Sequence, residues 1–532
     1  MVWCSNEQTY QTPDIRIVGN YKENCVTYLD FYLSYYKLEI IMKYIYTVFS
    51  TIALMVTLTS NAQEKLNPKD SFTKIDNYLS NGTANGFSGA ILVIQEGELI
   101  INKGYGLANK DNKTLNNPNT IFDIGSNTKQ FTSTAILKLV EQNKLNVTDS
   151  LSKYFTELPI DKQSITIHQL LTHSAGFVES LGRDFSEISQ KDFFEKLFAS
   201  KLLAEPGEKY SYSNTGYSIL GRIIELTSGQ SYEAFLNEHL FTPAGMLQTG
   251  YLLPKWDTKQ MSHGYNRNII ETESTITRYQ ETGDVNWHLK GNGGINSTQN
   301  DMLLWYKALK SNKILTPESF VKLTTPYVSS SKSTSSYGYG WGVKKSKANT
   351  LRISHNGSNG AFAHSIIWYP KEDLYIVYAT NANSSKVEGI AYVVAKIILD
   401  ETYVAEPIKD NIYSFMMNYI NQNPTDKSNE LLTLLQENYA DDFTNSGVLN
   451  TIGNIILKSS ENLEWTIELF KINVQLYPDD GNLWDSLGDG YKANNLKEDA
   501  IKSYQKAIEL GYKGSQKKLT ELMKTSEINN KN

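Results

Sequence analysis

Strand-like segments occur at both ends of residues 66–400, and a largely helical stretch separates them. At the first end, short β-rich runs flank the turn dipeptide Glu96-Gly97, which predicts a hairpin. At the second end, aromatic residues and glycines alternate as in antiparallel strands, in residues 337–343, 354–370 and 374–383. We therefore predict one α+β domain over residues 66–400, in which both ends of the sequence build a single sheet around a helical middle.

The composition is that of a globular protein and excludes several other classes. Of the 532 residues, 40% are hydrophobic and 20% are charged, which does not fit a disordered, collagen-like or coiled-coil chain. The net charge is -6, and the basic residues are not concentrated in a stripe that could follow a phosphate backbone. Nucleic acid is therefore not an expected partner. The cysteines are Cys4 and Cys25, and no metal-ligand spacing of Cys or His occurs. We therefore expect neither a metal nor another cofactor.

Residues 42–62 have the pattern of a secretory signal peptide. A single lysine is followed by an apolar run and then by the small-x-small sequence Ser60-Asn61-Ala62. We expect cleavage after Ala62 and a periplasmic or secreted protein without a stable membrane span. The alternative is a retained membrane anchor, although the apolar run is short for a span of about 20 residues. Residues 1–41 are then interpreted as an upstream extension of the gene model.

After Glu406 the pattern becomes purely helical. Apolar and small residues follow the spacing of a tetratricopeptide repeat at Trp484, Leu487, Gly488, Tyr491, Ala500, Tyr504 and Ala507. With a more degenerate copy upstream, this predicts a helical linker over 401–445, tetratricopeptide-like repeats over 446–514 and a tail over 515–532. Two repeats are fewer than the roughly three needed for independent stability, so we expect them to pack on neighbouring elements. They also offer a surface for a protein partner.

Ser126 and Lys129 form an S-x-x-K pair. Other pairs share this spacing, among them Ser71/Lys74, Ser150/Lys153 and Ser503/Lys506. Ser126 is distinguished because it follows an apolar strand-like run with a turn glycine and opens a strong helix. A serine hydroxyl needs a base within hydrogen-bonding reach to act as a nucleophile, and a lysine can be that base if burial lowers its pKa. The N–H groups of the helix N-terminus also point to where an oxyanion would form.

Two further polar motifs are weak when taken singly. A Y-x-N motif at residues 212–214 lies on a predicted loop, and alone it is also typical of a polar turn with an exposed tyrosine. An H-x-G motif at residues 355–357 lies between strand-like runs, where Asn-Gly alone favours a hairpin turn. The interpretation therefore rests on the order and spacing of all three motifs, S-x-x-K, Y-x-N and H-x-G.

In that order, the three motifs resemble the serine β-lactamase and penicillin-binding protein family, in the branch of class C β-lactamases, D-aminopeptidases and related esterases. The resemblance covers about residues 75–395 and includes the stretches 170–177, 241–250 and 291–305. It implies a β-lactamase/transpeptidase-like antiparallel sheet flanked by helices, with a helical subdomain. The all-α repeat region would follow this domain.

The resemblance also implies roles for the residues that react. Ser126 would be the nucleophile that forms an acyl-enzyme, and Lys129 would accept its proton. Tyr212 would pass the proton to the leaving group and activate the hydrolytic water. We therefore expect an exported serine hydrolase that cleaves an amide or ester bond through an acyl-enzyme. Its substrate would be a small molecule or a peptide, namely a β-lactam, a D-amino-acid peptide or an ester.

Five further residues are implied to bind substrate, namely Asn214, His355, Asn356, Gly357 and Ser358. Asn214 would hold the substrate amide and Lys129, while residues 355–357 would line the strand edge where substrate lies. The backbone N–H groups of Ser126 and Ser358 would form the oxyanion hole.

His355 departs from the family pattern, because many β-lactamases have lysine there. An unperturbed imidazole has a pKa of about 6.5, so we expect His355 to titrate between about pH 5 and 8 and to favour uncharged substrates at neutral pH. His173 is interpreted as a structural histidine with its polar atoms paired. Two other functions stay open: a penicillin-binding or sensor protein with little turnover, and a protein whose repeats carry an interaction.

Overall fold

The structure is a computed structural model that describes residues 68–329, 335–345, 350–384 and 387–529. The expected upstream extension, residues 1–41, and the expected signal peptide, residues 42–62, lie outside the described residues. Across the described ranges, no helix is long and apolar enough to cross a membrane.

Most of the described strands lie towards the two ends of the predicted α+β domain, and three short ones lie between them. They are β1 (Gly89–Gln95), β2 (Glu98–Tyr105), β3 (Leu107–Asn109), β4 (Thr114–Leu115), β5 (Phe122–Asp123), β6 (Gly264–Asn266), β7 (Ile270–Thr272), β8 (Asn296–Ser297), β9 (Val328–Ser329), β10 (Ser336–Tyr337), β11 (Gly342–Lys345), β12 (Leu351–Ser358), β13 (Ala363–Tyr369) and β14 (Leu374–Thr380). Eight strands form one antiparallel sheet in the order β2-β1-β14-β13-β12-β11-β10-β9. Gly89 of β1 lies opposite Thr380 of β14, so the two ends of the sequence meet within the sheet, as predicted.

Helices cover the sheet and connect its two sets of strands. They are α1 (Pro68–Thr83), α2 (Thr128–Glu141), α3 (Ile167–Leu171), α4 (Gln190–Ala199), α5 (Asn214–Ser228), α6 (Tyr232–Leu236), α7 (Thr242–Ala244), α8 (Thr275–Thr282), α9 (Gln299–Lys310), α10 (Pro317–Thr324) and α11 (Ile390–Leu399). Helix α5 begins directly after Tyr212 because the Ser213 side chain accepts the N–H of Gly216 and caps its first turn. The predicted antiparallel sheet flanked by helices is therefore confirmed.

The sheet is buried on both faces, which β14 shows most clearly. Tyr375 and Val377 pack in the cluster that contains the apolar side chains of α2 and α5. Leu374, Ile376 and Tyr378 point to the other face and pack against α1 and α11. A strand covered on both sides needs apolar residues at every position, which explains its unbroken apolar run.

The chain after residue 411 is entirely helical in the part that the structure describes. Its elements are α12 (Ile412–Gln422), α13 (Ser428–Asn438), α14 (Gly447–Ser459), α15 (Leu463–Leu476), α16 (Gly481–Ala493), α17 (Lys497–Glu509) and α18 (Ser515–Asn529). Gly488 makes room for the ring of Tyr504, and Gly453 makes room for the ring of Phe470 in the preceding pair of helices. The all-helical region is confirmed, whereas its assignment to tetratricopeptide repeats stays a prediction.

The β6–β7 hairpin joins the helical region to the sheet-containing part. The Arg267 guanidinium stacks 4.5 Å from the ring centre of Tyr413 and donates a hydrogen bond of 3.0 Å to Thr451 Oγ1. Ile269 of the same hairpin packs against the apolar core of the helices. The helical region therefore packs on the preceding domain through this hairpin.

The core of the sheet-containing part extends past residue 400. Ile408 is buried against Gly82, and its carbonyl oxygen accepts a hydrogen bond of 2.7 Å from Asn85 Nδ2. A domain boundary at residue 400 would cut through these contacts. The boundary at residue 400 stays a prediction, and these contacts favour a revised boundary between Ile408 and the start of α12 at Ile412.

This boundary can be tested with two truncated chains. A chain that ends at Asp410 keeps Ile408, and a chain that ends at Ala405 loses it. Because burial of an isoleucine side chain contributes about 1.5–3 kcal/mol, the shorter chain should be less stable by about that amount. The measurement is urea unfolding followed by circular dichroism. Equal midpoints for both chains would contradict the extended boundary.

Candidate active site

The S-x-x-K pair lies where strand β5 turns into helix α2. A 3-10 turn, Gly125–Asn127, carries Ser126 and leads directly into the helix. Lys129 follows one helical turn later, on the same face. The distance between Lys129 Nζ and Ser126 Oγ is 3.0 Å. The structure thus brings the two side chains together within hydrogen-bonding reach.

Lys129 is fully buried, and this burial determines its chemistry. Desolvation holds the pKa of its amine well below the usual value, although the carboxylates of Asp184 and Glu179 oppose the shift. The amine also donates a hydrogen bond of 2.7 Å to the carbonyl oxygen of Asn292. A buried amine with a lowered pKa spends more time neutral, so it can accept a proton from the adjacent hydroxyl.

Tyr212 reaches Ser126 from the loop before α5. Its hydroxyl lies near enough to Ser126 to interact with it, and burial raises the pKa of the phenol, which therefore stays protonated. His173 fixes this loop in two ways. Its carbonyl oxygen accepts the N–H of Ser211 at 2.7 Å, and its ring Nδ1 accepts the N–H of Ser213 at 3.0 Å. The His173 ring also packs 4.3 Å from the centre of the Tyr212 ring.

His173 is a positioning residue whose polar atoms are only partly paired. Because Nδ1 accepts a backbone N–H, the ring proton is on Nε2, which has no hydrogen-bond partner among the described residues. Burial and the charge of Lys129 hold the pKa of the imidazole well below its usual value. The ring is therefore neutral. Sequence reasoning found its structural role but missed its contact with the Y-x-N loop.

Asn214 does not make the contact with Lys129 that the family resemblance implied. Its backbone N–H donates to the carbonyl oxygen of Glu179 at 2.8 Å, and its side-chain oxygen Oδ1 is buried without a partner in the described part of the chain. The contact with Lys129 expected of Asn214 is made instead by the carbonyl oxygen of Asn292. Sequence reasoning placed Asn292 in a family-like stretch but gave it no role. An unpaired buried amide oxygen costs free energy unless a ligand supplies a donor.

The H-x-G motif lies on an open strand edge. Strand β11 pairs with β12 only as far as Ser354, whereas β13 pairs with β12 as far as Ser358. Among the described strands, residues 355–358 therefore have a partner on one side only. Asn356 is exposed there, as expected for a residue that lines a substrate edge.

Gly357 allows this strand to touch the turn that carries Ser126. A Cβ atom at position 357 would lie 2.7 Å from the backbone nitrogen of Ser126, so only glycine fits. Similarly, a Cβ atom on Gly125 would lie 2.6 Å from the backbone nitrogen of Ser358. The backbone nitrogens of Ser126 and Ser358 therefore border the same junction. The hydroxyl of Ser358 accepts a hydrogen bond of 3.1 Å from Asn383 Nδ2.

His355 does not titrate as the sequence predicted. Its Nε2 lies 2.9 Å from the Tyr337 hydroxyl, and its Nδ1 lies 2.8 Å from the carbonyl oxygen of Asn356. Since a carbonyl only accepts, Nδ1 carries the proton and Nε2 accepts from Tyr337. Burial and the charge of Lys129 lower the pKa of the imidazole to about 3. The expected titration between about pH 5 and 8 is therefore wrong, because the ring is enclosed and its nitrogens are used within the protein.

A buried aspartate ties together the two backbone segments at this junction. Asp123 Oδ1 accepts the N–H of Gly125 at 2.6 Å, and Oδ2 accepts a hydrogen bond of 2.9 Å from Asn359 Nδ2. Gly125 precedes Ser126, and Asn359 follows Ser358. Burial raises the pKa of the Asp123 carboxyl to about 6. Nothing in the sequence pattern pointed to this residue.

Asp123→Asn tests this link without changing the size of the side chain. The new amide would place a donor against Asn359 Nδ2, so labelling of Ser126 by a serine-reactive phosphonate should slow by about 10- to 100-fold. Adding Asn359→Asp reverses the polarity of the lost bond and should recover most of the rate. The measurement is adduct formation followed by intact mass. Equal slowing in the single and double variants would contradict the positioning role.

The fold and the arrangement of Ser126, Lys129 and Tyr212 define the class of serine hydrolases built on the β-lactamase and penicillin-binding protein fold. The family model described as Beta-lactamase matches residues 75–397. The chain therefore belongs to the Beta-lactamase family. The family resemblance is confirmed, whereas the finer branch stays a prediction.

Individual relatives agree with this assignment. The protein PbpX of Bacillus subtilis (strain 168) is 33% identical over 285 residues, which are 53% of this chain and 68% of that protein. The octameric penicillin-binding protein homologue from Pyrococcus abyssi has a TM-score of 0.56 at 23% identity, over 66% of this chain and 81% of that chain. A D-alanine carboxypeptidase from Burkholderia cenocepacia has a TM-score of 0.54 at 19% identity, over 62% and 100%. At these identities the two structures support the fold alone.

Proposed function

We propose that the protein is a serine hydrolase that cleaves an amide or ester through an acyl-enzyme on Ser126. The observation that carries this proposal is the buried amine of Lys129, 3.0 Å from Ser126 Oγ and with a lowered pKa. A neutral amine at this distance can remove the hydroxyl proton as the oxygen attacks a carbonyl carbon. The Tyr212 hydroxyl, which interacts with the same serine, is a second group that can transfer a proton.

In the acylation step, Ser126 Oγ bonds to the substrate carbonyl carbon and its proton moves to Lys129. The carbonyl oxygen becomes an oxyanion at the junction bordered by the backbone nitrogens of Ser126 and Ser358, where N–H groups stabilise developing negative charge. The bond to the leaving group then breaks. The Tyr212 hydroxyl protonates that group and regains a proton from the Lys129 ammonium.

In the deacylation step, the same groups act on water. Tyr212 and Lys129 together take a proton from a water molecule as its oxygen attacks the acyl carbon. The ester bond to Ser126 breaks, and the proton returns to Ser126 Oγ. The unpaired Oδ1 of Asn214 supports a contact with a substrate N–H during both steps.

The names of the relatives support a narrower proposal for the substrate. One structural relative is named a penicillin-binding protein homologue and another a D-alanine carboxypeptidase. We propose a β-lactam, a D-amino-acid peptide or an ester as substrate, and export through the segment 42–62. A protein partner on the helices of residues 446–514 also stays a proposal.

Ser126→Ala is the direct test of the nucleophile. Because no acyl intermediate can form without the hydroxyl, labelling by a serine-reactive phosphonate should disappear and turnover should fall by several orders of magnitude. Intact mass reports the label. Full labelling of the alanine variant would exclude Ser126. Release of more than one equivalent of product per wild-type chain separates an enzyme from a binding or sensor protein.

Tyr212→Phe tests the second proton carrier. It keeps the ring packed on His173 and removes only the hydroxyl, so kcat should fall by about 10²- to 10⁴-fold. Tyr210→Phe is a matched control, since that ring also packs on His173. We expect the control to stay near wild-type activity. Equal losses in both variants would contradict the role given to the Tyr212 hydroxyl.

A further inference from the structure

The β6–β7 hairpin also packs on the turn between β12 and β13, which lies next to the candidate active site. A Cβ atom on Gly264 of β6 would lie 2.7 Å from Ala361 Cβ and 2.7 Å from Phe362 Cε2, so the backbone of this strand lies directly against the turn. The turn follows Ser358, whose backbone nitrogen borders the junction with the Ser126 turn. The hairpin therefore supports backbone that the proposed reaction uses.

Hydrogen bonds from the end of β14 join the same elements. The Tyr265 N–H of β6 donates to the carbonyl oxygen of Asn381 at 2.6 Å, and the Asn383 N–H donates to the carbonyl oxygen of Ala361 at 3.0 Å. The side chain of Asn383 donates to Ser358 Oγ. Tyr265, Asn381 and Asn383 are buried. Because a buried hydrogen bond is costly to break, a shift of β6 is passed on to Ser358.

The hairpin has little stability of its own. Its strands pair over three residues each, and Ile270 and Glu271 of β7 are exposed. A hairpin of two strands is at best marginally stable in water, so its position depends on what it packs against. Arg267 at its tip has a left-handed backbone with a φ of 54°, which a residue other than glycine keeps only when its surroundings hold it. The contacts of the tip therefore determine where the hairpin lies.

The helical region supplies such contacts. The Arg267 guanidinium bridges two of its helices, through the ring of Tyr413 in α12 and through Thr451 Oγ1 in α14. Asn268 Nδ2 donates a hydrogen bond of 3.1 Å to Ser414 Oγ of α12. The tip of the hairpin is therefore held by the first helices of the region.

Lys110 holds the tip from the sheet-containing part. Its amine donates hydrogen bonds of 2.7 and 2.9 Å to the carbonyl oxygen and to Oδ1 of Asn268. Asn268 is thus bonded from both sides, whereas the Arg267 side chain contacts α12 and α14. Arg267 is therefore the residue whose change reports on the helical region.

We propose that the helical region, residues 412–529, positions the oxyanion junction through the β6–β7 hairpin and that Arg267 is the positioning residue. The inference rests on the proposed function, because it concerns the acylation of Ser126. When the tip is held, β6 supports the β12–β13 turn, and the Ser358 N–H stays where negative charge develops. A shift of about 1 Å in such a group can cost about 10²-fold in rate, even when the changed residue is remote.

The test follows labelling of Ser126 by a serine-reactive phosphonate in the full chain. Arg267→Ala should lower the limiting rate constant by about tenfold and leave the half-saturating reagent concentration unchanged, because an oxyanion hole acts in the transition state. Arg267→Lys should recover part of the rate, since a cation can still lie over the Tyr413 ring. A merely structural loss would instead lower the fraction of chains that label, which intact mass reports separately.

Thr451→Val tests the same contact from the helical region, so the test stands even if Arg267→Ala does not fold. It should slow labelling by about threefold, because one hydrogen bond is lost and the stack on Tyr413 remains. The double variant should be no slower than Arg267→Ala, since both changes remove the same hydrogen bond. Losses that multiply in the double variant would contradict this path.

Thr466→Val is the matched control. Thr466 Oγ1 donates to the carbonyl oxygen of Leu463 and accepts from Asn494 Nδ2, both within the helical region. Its loss should lower the urea midpoint without changing the labelling rate. An unchanged rate in Arg267→Ala or Thr451→Val, or equal slowing in Thr466→Val, would overturn the positioning role. Absence of labelling in the wild type would overturn the proposed function and this inference with it.

Discussion

The site depends on keeping one buried amine uncharged. Lys129 is excluded from water in the first turn of α2, where an ammonium ion would lose its hydration. The groups bonded to it, the Ser126 hydroxyl and the Asn292 carbonyl, carry no negative charge. His173 and His355 are close enough for charge on Lys129 to lower their pKa values. All three bases therefore share a region where positive charge is costly, so in the proposed reaction a proton taken from Ser126 is readily passed on.

Closure of the sheet assembles this region from distant segments. The pairing of β1 with β14 brings the first strands of the chain beside the last, and the β12–β13 turn then meets the turn that carries Ser126. Asp123 and Asn359, which join these turns, are 236 residues apart in the sequence. Contacts at such separation form only after a large loss of chain entropy, so the junction is complete only when the whole sheet has formed.

What the sequence could predict depends on how local each feature is. The proximity of Ser126 and Lys129 follows from a three-residue spacing on a helix, and the sheet follows from apolar runs that need no knowledge of their partners. The environment of His355 depends instead on Tyr337, which reaches it from β10 through the register of three strands. Ile408 is similar, because only its contact with Gly82 shows that the core continues past residue 400.

The neutral imidazole of His355 shows what keeps Lys129 uncharged. A lysine at position 355 would be a permanent cation beside this amine, and its field would lower the pKa of Lys129 further. His355 supplies no such charge, because its ring nitrogens face the Tyr337 hydroxyl and the Asn356 carbonyl oxygen and its pKa lies at about 3. The pKa of Lys129 is therefore lowered by burial, against the opposing carboxylates of Asp184 and Glu179, and needs no cation on the strand edge.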